Sequence, residues 1–216
     1  MMGFPNILNE SEPNQDEHTK LVMAALILAI SITRSPIMIP LQAFQGVAVS
    51  AFLKQQHRPA AAFVKPAAAV LGIGAVGAGA AYLIGPLLFK LIYPPKGDAQ
   101  AAYAEVVTGT VLGVLVFASA LLALMTLSGN MVLAINRHRA YVAGWAAAAA
   151  VAVAVAFFAP LPLVPRAIAA LCAGPVCGFA VHLAAMMVHA RSVQALSEGE
   201  ALREMLVENT VRGETH

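Results

Sequence analysis

The sequence predicts an all-α membrane protein: a polytopic helical bundle of about five transmembrane helices. Three observations lead there. The chain is 60% hydrophobic and 11% charged, with a mean hydropathy of +0.77, whereas a soluble domain carries about 25% charge. Five apolar runs, at 21–53, 66–89, 106–127, 141–159 and 167–188, hold few of the charges; each suffices for a bilayer crossing, which takes about 20 helical residues. None of them alternates apolar and polar residues as a barrel strand does. Backbone groups in lipid must be paired within the segment, so runs of this kind are helices. Alanine, glycine and valine dominate, and small residues allow close helix packing in a membrane.

Residues 1–19 are polar and acidic and form the N-terminal tail. They lack the basic start of a cleavable leader, so the first span is expected to act as its own insertion signal. That span is long, and Arg34-Ser35-Pro36 and Pro40 interrupt it. Proline removes a helical donor and clashes with the preceding turn, so a bend is expected. Two readings stand: a broken helix beside a polar cavity, or a long tilted helix whose arginine snorkels to the nearer interface. A basic loop follows, Lys54-Gln55-Gln56-His57-Arg58-Pro59. The second span contains Gly72-Ile73-Gly74-Ala75-Val76-Gly77, formally a dinucleotide-binding pattern. It has no preceding strand and lies inside a span, so close helix packing is the better reading.

Lys90 and Tyr93 suit an interface at the end of the second span. Glu105 is expected to open the third span in the headgroup layer, and the helix to run on toward Asn136. Arg137-His138-Arg139 is the next basic loop. Tyr141 and the only tryptophan, Trp145, then begin the fourth span as part of an aromatic belt. Pro160, Pro162 and Pro165 make a stiff turn into the fifth span, completing a bundle over 20–190. Residues 191–216 read as a charged tail. There Ser197 and Glu200 have capping-box spacing before a short amphipathic helix with Leu202 and Met205.

Basic residues set orientation. Lys54, Arg58, Lys65, Arg137, Arg139, Arg191 and Arg203 fall on one side, and Lys20, Lys90, Lys96 and Arg166 on the other. The excess predicts a plasma-membrane protein with its C-terminus cytoplasmic and its N-terminus outside.

Polar residues within spans are the natural place to seek function. Arg34, Gln42 and Gln45 are the candidate substrate-binding residues. Gln42 and Gln45 share a helix face; an inward arginine attracts phosphate or pyrophosphate, and glutamines hydrogen-bond sugar hydroxyls. Interhelical hydrogen bonding is the competing reading. His182 and His189 also share a face, and Cys172 and Cys177 lie in the same run. Their spacing is not that of a zinc pair, so no metal or cofactor is expected, and the cysteines read as buried small residues. His182 is the one titratable candidate at depth for proton coupling. No intramembrane carboxylate pair, phosphate loop or nucleophile motif is present, so the chain does not read as an enzyme. Nor does it read as a nucleic-acid binder; membrane lipids are its surroundings.

Ile32-Thr33-Arg34-Ser35-Pro36 running on to Gln42-Ala43-Phe44-Gln45-Gly46, then Ile84-Gly85-Pro86-Leu87-Leu88-Phe89, then Leu133-Ala134-Ile135-Asn136-Arg137-His138-Arg139 with Trp145 following, resemble in order and spacing the C-terminal half of polysaccharide biosynthesis proteins. These are the lipid-linked oligosaccharide flippases of the multidrug/oligosaccharidyl-lipid/polysaccharide exporter superfamily, and the actinobacterial-type members are most similar. The resemblance covers about residues 21–188. Val49-Ser50-Ala51-Phe52-Leu53 and Tyr93-Pro94 depart from it. It implies flipping of a lipid-linked glycan by alternating access between two bundles, with Arg34 contacting the pyrophosphate. Five spans amount to one half-bundle, so a partner half or a homodimer is implied. The alternatives are a non-transporting scaffold or accessory subunit of cell-envelope assembly, or a truncated inactive remnant.

Overall fold

The computed structural model describes residues 11–53, 59–97 and 99–213, and side chains within 16–39, 63–97, 99–200, 203, 205 and 206. Six helices follow in chain order among the described residues: α1 (Ser11–Leu53), α2 (Pro59–Ile92), α3 (Ala99–Val106), α4 (Gly109–Ala134), α5 (His138–Phe158) and α6 (Leu163–Gly213). There is no strand among them. Five helices are long and apolar enough to cross a membrane, over Asp16–Ile39, Phe63–Ile92, Gly109–Ala134, His138–Phe158 and Leu163–Glu200. The chain is therefore a multi-pass, all-α membrane protein.

The expected spans recur with altered ends. Helix α1 is continuous through Pro36 and Pro40, which favours the unbroken helix over the broken one. Its hydroxyls turn back on their own backbone: Ser31 donates to the Ile27 carbonyl, Thr33 to Ala29 and Ile30, and Ser35 to Ser31. A polar side chain in lipid meets its need locally in this way. The tail expected over 1–19 is helical from Ser11 onward, and the tail expected over 191–216 is a continuation of α6 as far as Gly213. Ser197 lies inside that helix and donates to the Gln194 carbonyl, so it caps nothing. The 43 residues of α1 and 51 of α6 rise about 65 and 75 Å at 1.5 Å per residue. A hydrocarbon core is about 30 Å thick, so part of each helix extends beyond it.

Glu105 does not open the third span. It sits on α3, a separate short helix, where the exposed His18 approaches it at 3.7 Å. Helix α4 begins after Thr108, whose hydroxyl oxygen accepts from the Val111 amide at 3.2 Å. This cap supplies one of the donors a helix start leaves unpaired.

Helix α4 is the centre of the bundle. Within its apolar window 56% of residues are buried, against 11% for α2 and for α5. It packs on α1, α2 and α6, while α5 packs chiefly on α6. Small residues set these distances. In the antiparallel α2–α4 pair, Gly74 lies against Ala120 and Gly77 against Val116, while a side chain on Gly109 would collide with the Tyr82 carbonyl. The glycine-rich run of the second span is thus partly a packing surface, although Gly72 and Gly79 face open space. One apolar cluster joins α1, α3 and α4 around Ala29, Val106 and Leu115; a second joins α2, α4 and α6 around Phe63, Met131 and Met186.

The α4–α5 turn is a Schellman motif. Asn136 takes a positive φ of 62°, its amide donates to the Leu133 carbonyl and the Arg137 amide to Val132, each at 3.0 Å. Asparagine fills the left-handed position that glycine usually holds, and its Oδ1 meets His138 Nε2 at 2.9 Å. Asn136→Val should therefore destabilise the chain by about 1–2 kcal/mol, whereas Asn136→Gly should leave it near wild type. Thermal unfolding in detergent, followed by circular dichroism, checks both.

Candidate functional site

The three residues singled out from the sequence as substrate-binding all lie on α1. Gln42 and Gln45 lie on the α1 backbone, but their side chains fall outside the described residues. Arg34 is half-buried, with no hydrogen bond or ion pair to another described residue.

Beside this stretch, a cavity of 380 Å³ opens between α1, α2 and α4. Thr33 and Pro36 of α1, Ala80 and Leu88 of α2, and Leu112 of α4 are among its lining residues. Among its described lining residues the polar side chains are Thr33 and Tyr93, and the Thr33 hydroxyl is already committed to backbone carbonyls. The space beside the proline-bearing segment is therefore apolar rather than polar. Arg34 follows Thr33 by one residue and so lies about 100° around the helix from it, on the flank of the cavity's α1 wall.

The polar convergence is elsewhere, where α4, α5 and α6 meet. His182 of α6 is fully buried, and so is Ser128 of α4. Ser128 Oγ lies 3.0 Å from His182 Nδ1 and 2.7 Å from the Met125 carbonyl oxygen. His182 Nε2 lies 3.3 Å from the Tyr141 carbonyl oxygen at the start of α5. The Tyr141 ring stacks on the imidazole, with centroids 6.1 Å apart and planes 3° from parallel. Two glycines make the room: a side chain on Gly144 would collide with the His182 ring, and one on Gly129 would press on both the Tyr141 and His182 rings.

One residue beyond these glycines, Asn130 Nδ2 and Trp145 Nε1 are buried with no hydrogen-bond partner among the described residues. Trp145 is edge-on to Tyr141, with centroids 6.3 Å apart. It is thus a member of this inner layer more than of an outward-facing belt. The sequence reading marked His182 by its depth alone; Ser128 and Gly144 were missed, because only the fold brings positions so far apart along the chain together. Cys172 and Cys177 are free thiols and only partly buried. No group of three or more metal-ligating side chains occurs among the described residues.

No protein-family profile matches the chain, and no solved structure matches it. Among curated proteins, the chain is similar to an uncharacterized protein of Mycobacterium tuberculosis, 37% identical over 186 residues, and to an uncharacterized protein of Mycobacterium bovis, 33% identical over 186 residues. Each match covers 86% of this chain and 40% of the relative. The chain thus spans two fifths of the length of these relatives, and neither relative's name states an activity.

The crowding around His182 predicts the effect of a single methyl group. Gly144→Ala should destabilise the bundle by about 1–3 kcal/mol through overpacking. Gly72→Ala, which meets nothing within 4 Å, should be neutral or slightly stabilising, since alanine is the better helix former. Paired thermal melts of the two variants in the same detergent check the contrast.

Proposed function

We propose that the chain forms one helical bundle of a transporter that moves a lipid-linked glycan across the plasma membrane, acting with a second bundle. The observation that carries this reading is the apolar cavity between α1, α2 and α4, with the half-buried Arg34 on the flank of one wall. A polyprenyl-pyrophosphate glycan has a slender apolar tail joined to an anion. The cavity suits the tail, and a guanidinium suits pyrophosphate oxygens. The ordered sequence resemblance to oligosaccharide flippases supports the same substrate class. The outward faces of α2 and α5, rich in exposed residues such as Ile73, Leu83, Val153 and Phe157, leave area for lipid and for a second bundle. The excess of basic residues on one side supports a cytoplasmic C-terminus.

A second reading, a non-transporting scaffold of a cell-envelope assembly, has one observation on its side. Among the described residues the cavity walls carry no charged side chain, whereas glycan-handling cavities are expected to be polar.

Two substitutions separate the readings. Arg34→Ala removes the cation, and Ala80→Phe fills the cavity from an exposed position on its rim. Under the transport reading both proteins insert normally, and export of the glycan falls about tenfold or more, as loss of a charge-assisted contact implies. Surface glycan and retained lipid-linked precursor, measured in cells that depend on the chain, supply the readout. Undiminished export by both variants would favour the scaffold.

A further inference from the structure

The hydrogen bonds at His182 leave one hydroxyl hydrogen with two acceptors. Nε2 faces the Tyr141 carbonyl, which can only accept, so Nε2 carries a hydrogen. Nδ1 faces Ser128 Oγ at 3.0 Å. The Ser128 hydroxyl has a single hydrogen and two takers: the Met125 carbonyl at 2.7 Å and His182 Nδ1. If that hydrogen points to Nδ1, the ring is neutral and the Met125 carbonyl goes without it. If it points to Met125, the Ser128 oxygen becomes an acceptor and Nδ1 must donate, so the ring is an imidazolium. Both states are hydrogen-bonded at both nitrogens, and they differ by one proton and one rotation of one hydroxyl.

We propose that His182 is a proton-binding site built into the α4–α5–α6 junction, with the Ser128 hydroxyl as the switch between its loaded and empty states. Loading is a simple transfer. An acid in the adjoining water gives up a proton and keeps its electron pair; a new N–H bond forms at Nδ1; the Ser128 O–H turns from Nδ1 to the Met125 carbonyl; the Nε2–H stays on Tyr141. Two features favour the cation without supplying a counter-charge. The Tyr141 ring lies parallel to the imidazole at 6.1 Å, within reach of a cation–π attraction. The Tyr141 carbonyl, 3.3 Å from Nε2, accepts from the same ring, while burial works against the charge.

The charged and titratable neighbours are few. From α4 the junction receives Met125, Ser128 and Gly129, none of them ionisable. From α5 it receives the Tyr141 phenol ring. From α2, Lys65 near the packed Phe63 is exposed. On α6 itself, His189 lies two turns on and interacts electrostatically with Arg137 of the α4–α5 turn. Tyr141 directly follows Ala140, and residues Asn136 to Ala140 line an open pocket of 490 Å³ at that end of the bundle.

The site would let a pH difference act on the packing of three helices. It does not depend on the glycan-transport reading, because the proton is detected on the chain alone. The test uses the full chain in phosphatidylethanolamine–phosphatidylglycerol nanodiscs, with His18, His57, His138, His189 and His216 replaced by Gln so that His182 is the one histidine left of six. Its two imidazole nitrogens are then followed by ¹⁵N NMR from about pH 8 to about pH 5, the range in which histidine charge changes matter. The expected result is one protonated nitrogen at the upper end and two at the lower, with Nε2 protonated throughout. In the same background Ser128→Ala, which removes the hydroxyl and little volume, should move the midpoint by about one pH unit. One protonated nitrogen across the whole range overturns the proposal, and a midpoint unchanged by Ser128→Ala overturns the switch.

Discussion

Lipid cannot hydrogen-bond, and the rest of this structure follows from that constraint. Every amide and carbonyl inside the bilayer must find its partner within the protein, which is why the apolar runs are helices. Polar side chains obey the same rule. Ser31, Thr33, Ser35, Ser119 and Thr126 all return their hydroxyl hydrogens to carbonyls of their own helix. His182 cannot do so, because an imidazole does not reach back along its own helix in that way. Its needs are met by α4 and α5 together, so it becomes the point where three helices are held in register.

Holding helices in register needs close approach, and small residues provide it. Apolar burial draws no two helices together when the surroundings are equally apolar, so packing contacts must do that work. Gly74 and Gly77 bring α2 onto α4; Gly144 and Gly178 bring α5 onto α6. Where α1 meets α2 and α4, the fit is incomplete and leaves the apolar cavity beside Thr33 and Pro36. The bundle therefore has a tight, hydrogen-bonded junction at α4–α5–α6 and an open, greasy one at α1–α2–α4. The two differ in the chemistry they can support: the first holds a proton or a fixed polar contact, the second an apolar chain.

Much of the fold was legible in the residue order. Runs of about 20 apolar residues, the prolines at 160 and 162, and the basic Arg137-His138-Arg139 stretch, of which only Arg137 stands outside a helix, mark the spans and turns, because the cost of a charge or a broken helix in lipid is large and local. Helix ends outside the lipid were less legible. Residues 11–19 and 191–213 are helical although their composition is polar, and Ser197 matched a capping pattern in mid-helix. In water such segments are decided by continuation from a neighbouring helix, since extending a formed helix is easier than nucleating a new one. A short motif cannot register that.

By itself, then, the residue order determined the all-helical class and the five helices long and apolar enough to cross a membrane, since both are set by the transfer of neighbouring residues into lipid. The tertiary structure alone decided which polar residues share a site. Arg34 was conspicuous in the sequence and stands without a described partner. Ser128 and Gly144 are unremarkable in the sequence and Tyr141 stands there as a belt residue, yet together they enclose His182. A polar group's role in a bilayer depends on which helix lies across from it, and that is settled by packing between distant segments rather than by the residues beside it in the chain.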